Sequence, residues 1–320
     1  MMKGRIILLA LFVGLVTFTK AQDINAAGAK FNEGIELDKA KDYAGAIKVW
    51  EESVAICNTL GAEAVELKIM VQKKLAYTYF KEGITLYKKE SFDPAISALK
   101  SAEKLAGEVA DLKTQQQATT YIPKIYASKG LAYSTRKDYE GSLKVFEEAL
   151  VFNPNCVDAF YGKGMAYKEL DQFENAIEAF DNVILFGAGN TSAAKKVASA
   201  TEAAQLMFES KAATEMQIEH NAEAVVLLTN ALKYNDQSVN AFYLLTLANN
   251  KLKKWDASIA AGQKALTLEG VDSMAIQFEL GKAFQAKGEN ANACAAYKLV
   301  TAGPNVAAAK YQITEVLKCN

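Results

Sequence analysis

The feature that most constrains this chain is an internal repetition with a period of 34 residues. Gly130 is followed by Tyr133, Tyr139, Ser142, Phe146 and Ala149, and Gly164 by Tyr167, Phe173, Ala176, Phe180 and Val183. The offsets from the glycine are 3, 9, 12, 16 and 19 in both, and the two glycines lie 34 residues apart. Each unit accommodates two short amphipathic helices joined by a turn, at Arg136–Asp138 in one and Leu170–Gln172 in the other. A small residue on each helix lets the backbones approach, and the large residues fill the gaps between units. Two helices cannot bury such a face alone, so each unit needs neighbours on which to stack.

The same offsets recur from Gly34, Gly83, Ala212, Thr246 and Gly281, giving five more units. In the fifth and sixth, Glu215 and Asn249 stand where the others carry a large packing residue, so their register rests mainly on the second helix. The pattern resembles the tetratricopeptide repeat (TPR) family, and the resemblance covers roughly residues 27 to 307. It implies an all-α fold, a right-handed superhelical solenoid of about seven TPR units closed by a capping helix. The units are expected at about 27–60, 76–109, 123–156, 157–190, 205–238, 239–272 and 274–307, with the cap at 306–319. Ala307, Tyr311, Ile313, Val316 and Leu317 supply the apolar residues of that cap, which an open-ended stack needs to cover its last surface.

Three steps between anchors are 34, 34 and 35 residues, but the other three are 49, 47 and 48. The excess is close to four helical turns, and whole turns keep an apolar stripe on one face. First helices extended backwards by about four turns explain it; separate short helices or loops are the alternative. Pro123 is expected to interrupt or kink the extension of the third repeat. Gly187-Ala188-Gly189-Asn190 is the clearest local break and divides the expected sub-stacks, 22–190 and 191–320.

At the amino terminus, Lys3 and Arg5 precede an uncharged run from Ile6 to Thr19, which leads to Ala21. This reads as a bacterial signal peptide over 1–21; the run is shorter than the roughly 20 residues a spanning helix needs. The expectation is export to the periplasm or outer envelope, with no membrane insertion after cleavage. The remaining chain has 33 basic and 37 acidic residues and no basic face, which argues against nucleic acid. Of four cysteines, Cys57 and Cys156 lie three repeats apart. Antiparallel packing brings Cys294 and Cys319 near each other, so a disulfide there is the alternative to buried free thiols. No pair has metal or redox spacing.

Catalysis has little to stand on. The single histidine, His220, falls in the turn of the fifth repeat, and no nucleophile turn, metal motif or cofactor motif is present. The run from Gly187 to Ser192 lacks the ending of a phosphate loop. The resemblance implies binding along the concave face lined by first helices. The residues three before each anchor are expected to face it: Phe31, Phe80, Ala127, Tyr161, Glu209, Tyr243 and Phe278. The aromatic five, Phe31, Phe80, Tyr161, Tyr243 and Phe278, are the candidate partner-binding residues; packing against the next repeat is their alternative role. Lys81, Lys124, Lys168, Asn250 and Lys282 are too scattered for a carboxylate clamp. The expected function is a non-enzymatic, cofactor-free scaffold for a protein or peptide in the envelope. A glycan or peptidoglycan-fragment receptor is the alternative, and self-association through the groove or cap stays open.

Overall fold

A computed structural model describes residues 23–268 and 273–319 of the chain. The expected signal peptide lies outside the described residues. Among those described, the secondary structure is helical, without a strand. The helices alternate as first and second members of the repeats. The first two pairs are α1 (23–39) with α2 (Tyr43–Leu60), and α3 (Val65–Lys88) with α4 (Phe92–Glu108). Next come α5 (Leu112–Thr135) with α6 (Tyr139–Phe152), and α7 (Val157–Glu169) followed by α8 (Phe173–Gly187). Then follow α9 (Ala194–Gln217) with α10 (Asn221–Tyr234), α11 (Val239–Lys251) with α12 (Trp255–Leu266), and α13 (Ser273–Ala286) with α14 (Asn290–Lys298). A last short helix, α15 (Val306–Tyr311), runs into a wide π-type turn at Gln312–Val316.

One turn geometry serves all seven units. Seven residues after each anchor the backbone is left-handed: Lys41, Glu90, Lys137, Asp171, Glu219, Lys253 and Gly288 have φ between 55° and 78°. The next residue's N–H donates back to the carbonyl three after the anchor. Asp42 reaches Leu37, Asp138 reaches Tyr133 and Glu289 reaches Phe284, all at 2.9–3.1 Å. This six-to-one closure satisfies carbonyls that a helix end would otherwise leave without partners. In the degenerate units, His220 bonds the carbonyl of Glu215 and Lys254 that of Asn249, each at 2.9 Å. Those side chains are irregular, but the turn uses only their backbone, so the register holds.

Packing within units follows size complementarity. A Cβ on Gly34 would meet the Trp50 indole at 2.3 Å, and one on Gly130 would meet the Phe146 ring at 2.5 Å. Trp50 and Phe146 are almost fully buried as a result. The sixth repeat inverts the sizes. Thr246 stands at the anchor and Gly262 at the large position, and Leu280 of the following helix fills the space, 2.8 Å from a Cβ placed on Gly262.

The long spacings are continuous helices. α3, α5 and α9 each have 24 residues, against 13 for α7 and α11. The extension is therefore about three turns, one fewer than the insert length implies. The preceding second helices take part of the remainder, α2 with 18 residues and α4 with 17 against 14 for α6. Pro123 does not interrupt α5. Its ring is buried beside the fully buried Ile122 and Ile125, and core packing overrides a local cost of about 3 kcal/mol.

The chain divides into two compact units, one ending at Ala166 and the other beginning at Tyr167. The division falls inside α7 rather than at Gly187–Asn190. That run is only a turn, because the helices on either side of it pack together, with Phe173 of α8 edge-on to Phe208 of α9 at 5.1 Å. In the second unit the cap also departs from expectation. Val306, Ile313 and Leu317 cover Tyr297, Val300 and Ala309, while Tyr311 and Val316 face outwards. Cys294 and Cys319 form a disulfide with Cα atoms 5.8 Å apart, an ordinary bridging distance. Cys57 and Cys156 are free and buried, and burial raises both thiols above their usual pKa.

Candidate functional site

The five aromatic candidates occupy equivalent places but do not form an open row of platforms. Phe80 is 9% exposed and belongs to the core of the first unit, edge-on to Tyr121 at 5.8 Å. It cannot present a face to a partner. Phe31 is half-buried against Trp50, whose indole N–H donates to the Phe31 carbonyl at 2.9 Å. Phe278 is half-buried against Tyr297 at 5.8 Å, with the Lys282 ammonium over its ring. Tyr243 is half-buried on the Ile259–Ile276 cluster, and Tyr161 is half-buried on α7. The common task of the first three is packing within their own repeats or against the next.

The non-aromatic member of the series does the same work by polar means. Glu209 is 4% exposed, and its carboxylate accepts from Gln205 at 2.9 Å, Ser238 at 2.6 Å and Asn240 at 2.7 Å. Ser238 also caps α11 by accepting from the Ala241 N–H. A buried carboxylate is tolerated here because several donors converge on it.

An open surface appears one turn earlier along the first helices, six residues before the anchor. Tyr77 on α3 and Leu206 on α9 occupy that position and are 43% and 52% exposed. In the second unit Leu206 borders a cleft of about 550 Å³ between α9 and the α7–α8 turn. Its apolar floor is Phe173, Leu206 and Met207, and Lys168, Asp171 and Lys211 bring charge to the walls. Lys211 lies 4.0 Å from the Phe173 ring centroid and donates to Glu174 at 3.0 Å. That hydrogen bond holds the Glu174 carboxyl below the usual carboxylate range. Such a cleft takes an apolar side chain on its floor and a polar or charged backbone segment along its walls. Spacing alone did not single it out, since the ruler was set at three before the anchor; setting it at six finds Tyr77 and Leu206.

Several scattered cations have internal partners. Lys81 pairs with Asp38, Lys282 with Glu279, and Asn250 donates to Glu279 at 2.8 Å. His220 is exposed at the start of α10, with Nδ1 2.9 Å from Glu215. Among the described residues no three His, Cys, Asp or Glu side chains are grouped to hold a metal ion. No described helix is long and apolar enough to cross a membrane.

Residues 128–193 match the family model described as tetratricopeptide repeat. The chain carries tetratricopeptide repeats. Similar solved structures include a TPR protein from Parabacteroides merdae ATCC 43184, 16% identical, covering 92% of this chain and 100% of that one with a TM-score of 0.31. Others are MamA from Desulfovibrio magneticus RS-1, at 20% identity, 56% and 92% coverage and a TM-score of 0.32, and YrrB. YrrB, described as a TPR protein with an unusual peptide-binding site, is 14% identical over 55% of this chain and 83% of its own, with a TM-score of 0.32. No curated protein matches the chain. The TPR match spans the α7–α8 turn that forms one wall of the cleft, so Lys168, Asp171 and Phe173 belong to a recognised repeat.

Proposed function

We propose that this TPR protein is a non-enzymatic scaffold that binds a protein or peptide partner in the bacterial cell envelope. The observation that carries the binding reading is the cleft of the second unit, where Phe173, Leu206 and Met207 lie open beside Lys168 and Lys211. A segment with an apolar anchor and an acidic neighbour fits that surface. The envelope reading is supported by the charge and apolar pattern of residues 1–21. The glycan alternative draws less support, because Phe31, Phe80 and Phe278 pack against neighbouring rings.

The test is photo-crosslinking in cells that export the protein, with the reactive residue at Leu206 or, as a control, at the exposed Glu148 of α6. A discrete protein adduct from Leu206 alone is expected. Equal adducts from both positions, or none from either, overturn the cleft as the binding site. The mass of the mature protein tests export separately: a chain retaining residues 1–21 removes the envelope assignment.

A further inference from the structure

The first unit contains an apolar surface that the repeat architecture does not use. α3 has 24 residues and its partner α4 only 17, so α3 outruns α4 by about 10 Å. On one side the overhang is covered: Val71 and Leu75 are buried beside Ala46 and Trp50. On the other, Val65, Ile69 and Met70, with Tyr77 further along, are between 41% and 51% exposed. Ala76, Phe80 and Gly83 are buried further along the same helix. Val65 and Ile69 point to the same side as those residues, at multiples of the helical turn from them. They continue an interior face past the point where its partner helix ends.

The charges beside this stripe have one predominant sign. Lys73 and Lys74 are exposed and Lys68 half-exposed, against Glu66 on the same turns. A second copy of the same face would set Lys73 and Lys74 against their equivalents, which disfavours self-pairing through it. We infer that the α3 overhang is a second docking surface, and that it takes an acidic amphipathic helix of a partner protein. The partner's apolar residues pack on Val65, Ile69, Met70 and Tyr77 in the way α4 packs on the rest of α3. Its carboxylates face Lys68, Lys73 and Lys74. The flexible Met70 side chain adapts to the shape of the incoming helix. This surface lies in the first unit and does not depend on the cleft of the second.

The test uses the whole chain and a labelled helical peptide with Leu at i, i+4, i+7 and i+11 and Glu on both flanks, read by fluorescence anisotropy. Saturable binding is expected, weakened about tenfold or more by Ile69→Ser with Met70→Ser, since two apolar contacts are lost. Lys73→Glu with Lys74→Glu should weaken it as well, and a matching peptide with Lys flanks should not bind. These side chains are exposed enough for both variants to fold, which circular dichroism checks. No saturable binding, or equal binding by both variants, overturns the proposal. A dimer abolished by Ile69→Ser with Met70→Ser would make a second copy the occupant. Flotation with phosphatidylglycerol vesicles that depends on the same residues would assign the face to lipid. Either result also overturns it.

Discussion

Phe80 in the first unit and Glu209 in the second occupy the same position, three residues before the anchor of their repeats, and solve the same packing problem by opposite means. Phe80 joins its repeat to the next through an edge-on contact with Tyr121, inside a cluster that includes Ile122, Ile125 and Phe146. Glu209 joins α9 to the start of α11 by accepting hydrogen bonds from Ser238 and Asn240. The second unit repeats this style where Asn250 of α11 donates to Glu279 of α13 at 2.8 Å. A repeat joint can therefore be apolar or polar as long as it is complete. The apolar joint draws on buried area, whereas the polar joint depends on several donors staying in register.

The comparison can be broken most directly at its two ends. Phe80→Ala should cost about 4 kcal/mol by emptying a packed site. Glu209→Ala should cost about 2 kcal/mol, because Ser238 and Asn240 lose their acceptor. Urea unfolding followed by circular dichroism measures both, and equal losses would remove the distinction between the joints. The second unit has a compensating device in its disulfide, which closes a loop with a sequence separation of 25. Replacing Cys294 and Cys319 by Ser should cost about 3 kcal/mol. Hydrogen exchange should show the loss in α13–α15 and leave α3–α6 unchanged.

Smaller effects sharpen the contrast. Gly288 is the glycine among the seven left-handed turn residues, so Gly288→Ala should destabilise by about 1 kcal/mol. Glu219→Gly, at the equivalent turn, should stabilise by a similar amount. Thermal melts of the two variants read opposite shifts. The smallest effect is alkaline. Burial, and secondarily Glu279, pushes the Tyr297 hydroxyl up to about 12 from 10.0. Burial likewise raises Tyr79, next to Glu51, and Tyr234, next to Asp181. A raised pKa means the fold favours the neutral phenol, so the stabilisation is complete below about pH 10 and is lost as pH rises towards 12. Tyr234 and Tyr297 lie in the second unit and Tyr79 in the first. Ultraviolet difference spectra against pH should therefore show the second unit loosening first.

Much of the fold was legible because periodicity is a local property. The anchors, the offsets of 16 and the helical inserts follow from where small and large residues fall along one helix face. Even Glu215 and Asn249, which break the side-chain pattern, keep the turn, since the turn needs only their backbone carbonyls. The candidate groove was less legible. An aromatic residue at Phe31, Phe80 or Phe278 reads the same in sequence whether its ring faces a partner or a neighbouring ring.

The sequence by itself determined an all-helical chain of seven two-helix units, the place of each turn, and the pairing of small with large residues inside most units. The tertiary structure decided the rest. It buried Phe80, exposed Tyr77 and Leu206, carried α5 through Pro123, turned Tyr311 and Val316 outwards, and joined Cys294 to Cys319. The reason is physical: a residue's place along a helix face is set by its own segment, but its exposure depends on how far the neighbouring helix runs. The uncovered Val65 and Ile69 follow from the shorter length of α4, which no pattern within α3 contains.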